Sequence, residues 1–204
     1  MAVFNVRDRV IECKIVYFGP GRCGKTTNLE YVFKAFKKQA KGDMVSINTK
    51  GDRTLFFDFL PMGFGKIRGC EVKVHLYTVP GQVRYGSTRK LVLKGVDGLV
   101  FVADSLEVRR KENMLSLKEL QQNLAEQNRS IFKVPLVQQY NKRDLAQEGI
   151  PIMPVEVMAR DLNSKLKVPS HEASALTGVG VGATLKTCLK LTLHHLQEEL
   201  KWAR

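Results

Sequence analysis

Gly19-Pro20-Gly21-Arg22-Cys23-Gly24-Lys25-Thr26 fits the spacing GxxxxGK(S/T), and no other stretch of this sequence implies chemistry so directly. Glycines at 19, 21 and 24 let backbone N–H groups close around phosphate oxygens, and a helix opening behind them adds partial positive charge. Lys25 is placed to reach the β- and γ-phosphates of a nucleotide and to assist their reaction. Thr26 offers a hydroxyl to the Mg²⁺ that accompanies a nucleoside triphosphate. Arg22, Cys23 and Thr27 complete the binding stretch. The context is the one such a loop requires: Ile11–Phe18 reads as a strand, and Leu29, Val32, Phe33 and Phe36 recur at helical spacing behind the loop.

A second segment, Asn141-Lys142-Arg143-Asp144, matches NKxD, which reads guanine. The Asp144 carboxylate can accept two hydrogen bonds from guanine N1–H and the 2-amino group, which adenine lacks. Asn141 can bond N7 and tie the segment to the phosphate loop, while the Lys142 stem covers purine and ribose. Ser174-Ala175-Leu176 resembles the weaker SAK/SAL element, whose backbone N–H meets guanine O6. The nucleotide is therefore GTP or GDP.

Thr78-Val79-Pro80-Gly81-Gln82 resembles the DxxGQ segment of Ras-like GTPases, which implies that Gly81 offers its N–H to the γ-phosphate and Gln82 orients the attacking water. Thr78 departs from that pattern by removing a carboxylate from behind the Mg²⁺. Asp58, on the preceding strand, either stands in for it or faces solvent. Arg53-Thr54 falls where a first switch belongs: Thr54 as a second Mg²⁺ ligand, Arg53 either as a cation on the transferring phosphoryl group or as a surface arginine. His75, His171, His194 and His195 share no ligand spacing.

The elements that must position these residues alternate. Arg53–Leu60 and Cys70–Val79 read as two strands of a hairpin, with Pro61–Lys66 as its turn and Met62 and Phe64 either partner-facing or packed on the hairpin. Leu99–Ala103 is an unbroken apolar run, as a strand covered on both faces requires. A helix over 106–127 carries the stripe Met114, Leu117, Leu120 and Leu124, and a last helix from about Gly182 carries Leu185, Leu189, Leu193, Leu196 and Leu200. Further segments read as helices at 83–94 and 153–162 and strands at 135–140 and 168–173, while 37–50 reads as a polar, mobile connection. The pattern predicts an α/β fold: a mostly parallel, doubly wound sheet with one antiparallel edge hairpin and helices on both faces. All the motifs follow strand carboxyl ends, the edge where such sheets bind ligands.

The 204 residues suit one domain, 1–204. Apolar residues at 44% and charged residues at 26% are those of an ordinary globular chain, which excludes disorder or a fibre. No run is apolar enough for a membrane span, and neither a signal peptide nor a lipidation motif is visible, so a cytoplasmic protein is expected. Four cysteines without metal or redox spacing fit reduced thiols. Of the net charge of +13, residues 1–100 carry +10. That excess suits a polyphosphate, and equally an acidic partner, a membrane surface or a merely solvated face. No basic motif interleaved with aromatics suggests nucleic acid.

Taken together, RTLFFDFLP, TVPGQ, RKLVLKGVDGLVFVADS and QYNKRD resemble the MglA family, bacterial Ras-like small GTPases of gliding motility and cell polarity, over roughly residues 11–195. The resemblance implies a Ras-like P-loop fold and a switch that is on with GTP and off with GDP. It implies a roadblock-fold MglB-like partner that stimulates hydrolysis by repositioning the chain's own Arg53 and Gln82 rather than supplying an arginine. It also implies a strand at Arg53–Leu60 that shifts register, downstream polarity or motility effectors, and recruitment to cell poles. A nucleotide-gated scaffold with negligible hydrolysis is the alternative that Thr78 motivates. A metabolic kinase is weaker, because no second substrate site is visible.

Overall fold

The computed structural model describes residues 3–5, 9–48, 56–67, 69–80 and 86–202. Nine residues, Val10–Phe18, form β2, whose side chains alternate so strictly that each sheet face receives its own core. Ile15 and Tyr17 point one way with Val100, Val102 and Leu76, against helices α1 (Lys25–Ala35) and α5 (Val181–Trp202). Val16 and Phe18 point the other way with Leu99 and Phe101, against α2 (Gly86–Leu93), α3 (Arg110–Ala125) and α4 (Val155–Leu162). Covered on both faces, β6 (Gly98–Asp104) is buried at every residue.

The remaining described strands are β1 (Val3–Asn5), β3 (Val45–Asn48), β4 (Phe56–Ile67), β5 (Cys70–Thr78), β7 (Leu136–Asn141) and β8 (Ser170–Glu172). Their order is β3-β4-β5-β2-β6-β7-β8. From β5 to β8 all neighbours are parallel, whereas β3 and β4 form an antiparallel edge. β6 pairs with β2 only at residues 15–18, which leaves residues 10–12 to the short antiparallel β1. The family implied by the motifs has this mixed, doubly wound architecture. β2, β5, β6, β7 and β8 all end on one edge, at Phe18, Thr78, Asp104, Asn141 and Glu172. Among the described residues no helix is long and apolar enough to cross a membrane.

Three expectations need correction. The interval Pro61–Lys66 is not the hairpin's turn: β4 runs through it, and the chain turns after Ile67 at Gly69. Proline is tolerated because the edge it faces is residues 39–41, where its carbonyl accepts the Lys41 N–H at 3.0 Å and its missing donor is not needed. Met62 is accordingly core, and Phe64, partly buried, packs against the same core. Secondly, residues 45–48 of the supposed connection are strand β3, held by β4. Thirdly, the chain after β6 begins with a 3₁₀ turn at Glu107–Arg109, and α3 buries Asn113, Ser116 and Asn123 while leaving Met114 and Leu115 exposed.

Candidate functional site

Between β2 and α1 the chain must turn back within van der Waals contact of its neighbours, and two glycines make this possible. At Gly19 a Cβ would sit 2.2 Å from the Val102 carbonyl oxygen; at Gly24, where φ is +95°, it would sit 2.3 Å from Asn141 Nδ2. The loop closes on the buried Lys25, whose ammonium donates to the carbonyls of Gly19 at 2.9 Å and Pro20 at 2.7 Å. Arg22 stays exposed, and Thr27 lies half-buried in the first turn of α1.

Asn141 joins its own segment to two others, 118 and 34 residues away in the sequence. Its Nδ2 donates to the Cys23 carbonyl at 2.7 Å, and its Oδ1 accepts the Ala175 N–H at 2.8 Å. Phosphate loop, base-reading segment and 174–176 loop therefore share one buried amide. Ser174 receives the Thr177 N–H on its Oγ at 3.1 Å and the Gly178 N–H on its carbonyl at 2.8 Å, which curls that loop. Leu176 is left 74% exposed at its tip. The side chain of the half-buried Asp144 forms no hydrogen bond or ion pair with the described residues, so its oxygens are available to a base.

Below Thr26 lies the feature that Thr78 made uncertain. Asp58 does not face solvent: β4 alternates, and Asp58 shares the buried face of Leu60 and Met62. Its carboxylate accepts the hydroxyls of Thr26, Thr78 and Ser46, each at 2.7 Å, while the Asp58 N–H donates to Thr78 Oγ1 at 3.0 Å. The carboxylate beside Thr26 thus comes from β4, and position 78 on β5 supplies a hydroxyl that donates to it. The set suits Mg²⁺, a hard ion that takes oxygen ligands, one or two carboxylates and phosphate oxygens rather than an all-protein cage.

Other side chains brace the site from the surrounding elements. Arg89 of α2 is buried, pairs with Glu119 of α3 at 2.6 Å, and donates to the Pro80 carbonyl at 3.1 Å. Gln139 donates to Asn28 Oδ1 at 2.8 Å, and Asn28 donates to the Gly24 carbonyl at 2.8 Å, bracing the loop from below. Arg109 donates to the Gly21 carbonyl at 2.9 Å, and Lys142 pairs with the buried Asp104 at 2.8 Å. Arg53, Thr54, Gly81 and Gln82, all singled out above, lie outside the described residues.

The Ras family model matches residues 14–194. The chain is 52% identical over 198 residues to the mutual gliding-motility protein MglA of Myxococcus xanthus, covering 97% of this chain and 99% of that one. The chain belongs to the MglA family of Ras-like small GTPases. It is also 29% identical over 111 residues to an uncharacterized protein of Methanocaldococcus jannaschii, covering 54% of this chain and 62% of that one. As a small GTPase it binds GTP and GDP with Mg²⁺ and hydrolyses GTP.

In this GTPase the loop thiol is buried. Burial pushes the Cys23 thiol up, outweighing the pull of the Lys25 ammonium; it pushes Cys13 up as well, and Cys188 up to about 12. A protonated buried thiol is a poor nucleophile. In a titration with a thiol-reactive disulfide, Cys70, half-buried, is expected to react in the native protein, and all four cysteines only after unfolding. Prompt modification of Cys23 in the native state would contradict this. The stability these thiols contribute is complete below their ordinary value of 9.0 and falls as pH rises past it, because the unfolded chain then loses protons that the folded chain keeps.

Proposed function

We propose that the chain, acting as one G domain over 1–204, is a GTP/GDP switch in bacterial cell polarity and motility, with hydrolysis stimulated by a roadblock-type, MglB-like partner. The observation that carries this reading is the Asn141 bridge, which supports one guanine-nucleotide site built from the loop at 19–26, the segment at 141–144 and the loop at 174–176. The process is the one for which the Myxococcus relative, similar along its whole length, is named.

Within that site Gly19, Gly21, Arg22, Cys23, Gly24, Lys25, Thr26 and Thr27 hold the phosphates, with Gly81. Asn141, Lys142, Asp144, Ser174, Ala175 and Leu176 hold the base and ribose. Thr26 and Thr54 would hold Mg²⁺, with Asp58 behind Thr26 in place of the usual aspartate. When bound, the ion withdraws charge from the phosphate oxygens. The chain's own part is positional: Lys25 neutralises charge that grows on the β–γ bridge, Gln82 orients the attacking water, and Arg53 meets charge on the transferring group. The protein works in the cytoplasm and is drawn to cell poles by its partners, with its basic half available to an acidic or membrane surface; nucleic acid is not a partner.

Single-turnover hydrolysis, with and without a purified MglB-like roadblock protein, tests the proposal. Gln82→Ala and Arg53→Ala are each expected to lower the stimulated rate at least about tenfold, while GTP still binds. Unaltered rates in both would remove those roles. Binding without phosphate release, partner present or not, would favour a nucleotide-gated scaffold.

A further inference from the structure

Asp104 ends β6 with a fully buried carboxylate, which an interior tolerates only when it is paired and hydrogen-bonded. Its backbone is fixed from α3: Asn113 Oδ1 accepts the Asp104 N–H at 2.9 Å, and Asn113 Nδ2 donates to the Asp104 carbonyl at 2.8 Å. The carboxylate then faces two cations. Its Oδ2 lies 2.8 Å from the Lys142 ammonium and 4.0 Å from Arg109 Nε, and its Oδ1 accepts the Leu106 N–H at 3.1 Å. Arg109 reaches further, donating from Nη2 to the Gly21 carbonyl at 2.9 Å, with Nη1 at 3.6 Å from Glu112.

One buried charge therefore grips the base-reading segment directly and the outer limb of the phosphate loop through Arg109. Lys142 also holds a left-handed backbone, φ +70°, which a lysine adopts at a cost and keeps only when its surroundings impose it. For a nucleotide to leave, either the loop must draw away from the phosphates or the 141–144 turn from the base. Asp104 and Arg109 oppose both movements at once.

We propose that Asp104 and Arg109 are positioning residues that set the rate at which this GTPase releases its nucleotide. The inference rests on residues 19–26 and 141–144 being the nucleotide site. Neither residue touches a reacting atom; each acts through Lys142 or Gly21. A partner that lifted Arg109 from the loop would hasten exchange without entering the nucleotide pocket.

The test is release of a fluorescent GDP from the full chain in Mg²⁺, chased with unlabelled GDP, alongside thermal unfolding. Asp104→Asn is expected to release roughly tenfold faster, because the Lys142 ammonium loses a buried partner. Arg109→Gln, at a partly exposed site, is expected to release about threefold faster. Arg109→Lys, which keeps the charge beside Asp104 but not the forked contacts, should fall between Arg109→Gln and the unaltered protein. The double variant should fall short of the product of the two, since both act on one network. Release unchanged in Asp104→Asn and Arg109→Gln overturns the inference, as does an Arg109→Lys no better than Arg109→Gln. If Asp104→Asn does not fold, the two Arg109 variants decide. Asp144→Asn separates the underlying reading: a preference that stays with guanine over xanthine nucleotides overturns the site itself. A shift to xanthine with unaltered release at 104 and 109 overturns this inference alone.

Discussion

Asp58→Asn is expected to weaken Mg²⁺-dependent GTP binding and slow single-turnover hydrolysis by roughly 10- to 100-fold, the usual consequence of losing a carboxylate that orients a metal's ligand. The reasoning is local. Three hydroxyls, on Thr26, Thr78 and Ser46, donate to this one carboxylate at 2.7 Å. An amide nitrogen cannot accept, so at least one hydroxyl must turn away, and the negative charge beside Thr26 is gone. Thr78→Asp, which puts the aspartate of the DxxGQ pattern at this position, is expected to harm rather than help. Two carboxylates in the place of a 2.7 Å hydroxyl contact repel each other and leave no hydroxyl to donate between the strands. The double variant, Asp58→Asn with Thr78→Asp, moves the charge to β5 and should recover much of the loss. Nucleotide affinity titrated against Mg²⁺ reads all three. Identical Mg²⁺ dependence in Asp58→Asn and the unaltered chain would reduce Asp58 to an anchor between strands.

The Asp58 site shows what a linear reading could and could not reach. The loop at 19–26 and the turn at 141–144 were legible because each packs its chemistry into consecutive residues with fixed spacing. Their convergence was legible because strands and helices alternate, which puts strand ends on one edge. Asp58 was visible as a carboxylate in an apolar strand, but its direction depends on strand parity. Parity was obscured because Pro61, Gly63 and Gly65 imitate a turn. β3 escaped because Val45–Asn48 is four residues long and sits among polar neighbours; only pairing with β4 makes it a strand. On α3 the apolar pattern pointed to Met114, yet Asn113 is the inward residue because the backbone of Asp104 needs its amide. Arg109 and Gly21 lie 88 residues apart, and nothing in either neighbourhood announces their contact.

The dependence of the whole site on long-range contact is clearest at Asn141, where an isosteric change should have a large effect. Asn141→Asp keeps the size of the side chain and an oxygen for the Ala175 N–H, but puts a carboxylate oxygen against the Cys23 carbonyl in place of a donor at 2.7 Å. Asn141 is buried, so this repulsion is not relieved by water, and a backbone carbonyl of the phosphate loop is left unpaired. Losing such a bond while leaving its partner buried costs about 1–3 kcal/mol, and more when a charge is stranded. With 1.4 kcal/mol to each factor of ten, GDP affinity should fall on the order of 100-fold. The loss should appear as faster release, since loop and base turn are no longer tied, and as a lower melting temperature that saturating nucleotide only partly restores. Gly24→Ala should reproduce it from the other side, because a methyl group there would occupy the space of Asn141 Nδ2. Calorimetric titration with GDP and ADP separates the outcomes. A matching loss for both variants, with ADP still not bound, places the defect in the bridge between loop and base turn. Full GDP affinity in Asn141→Asp would show that the segments hold the nucleotide independently, and that the bridge serves only the fold.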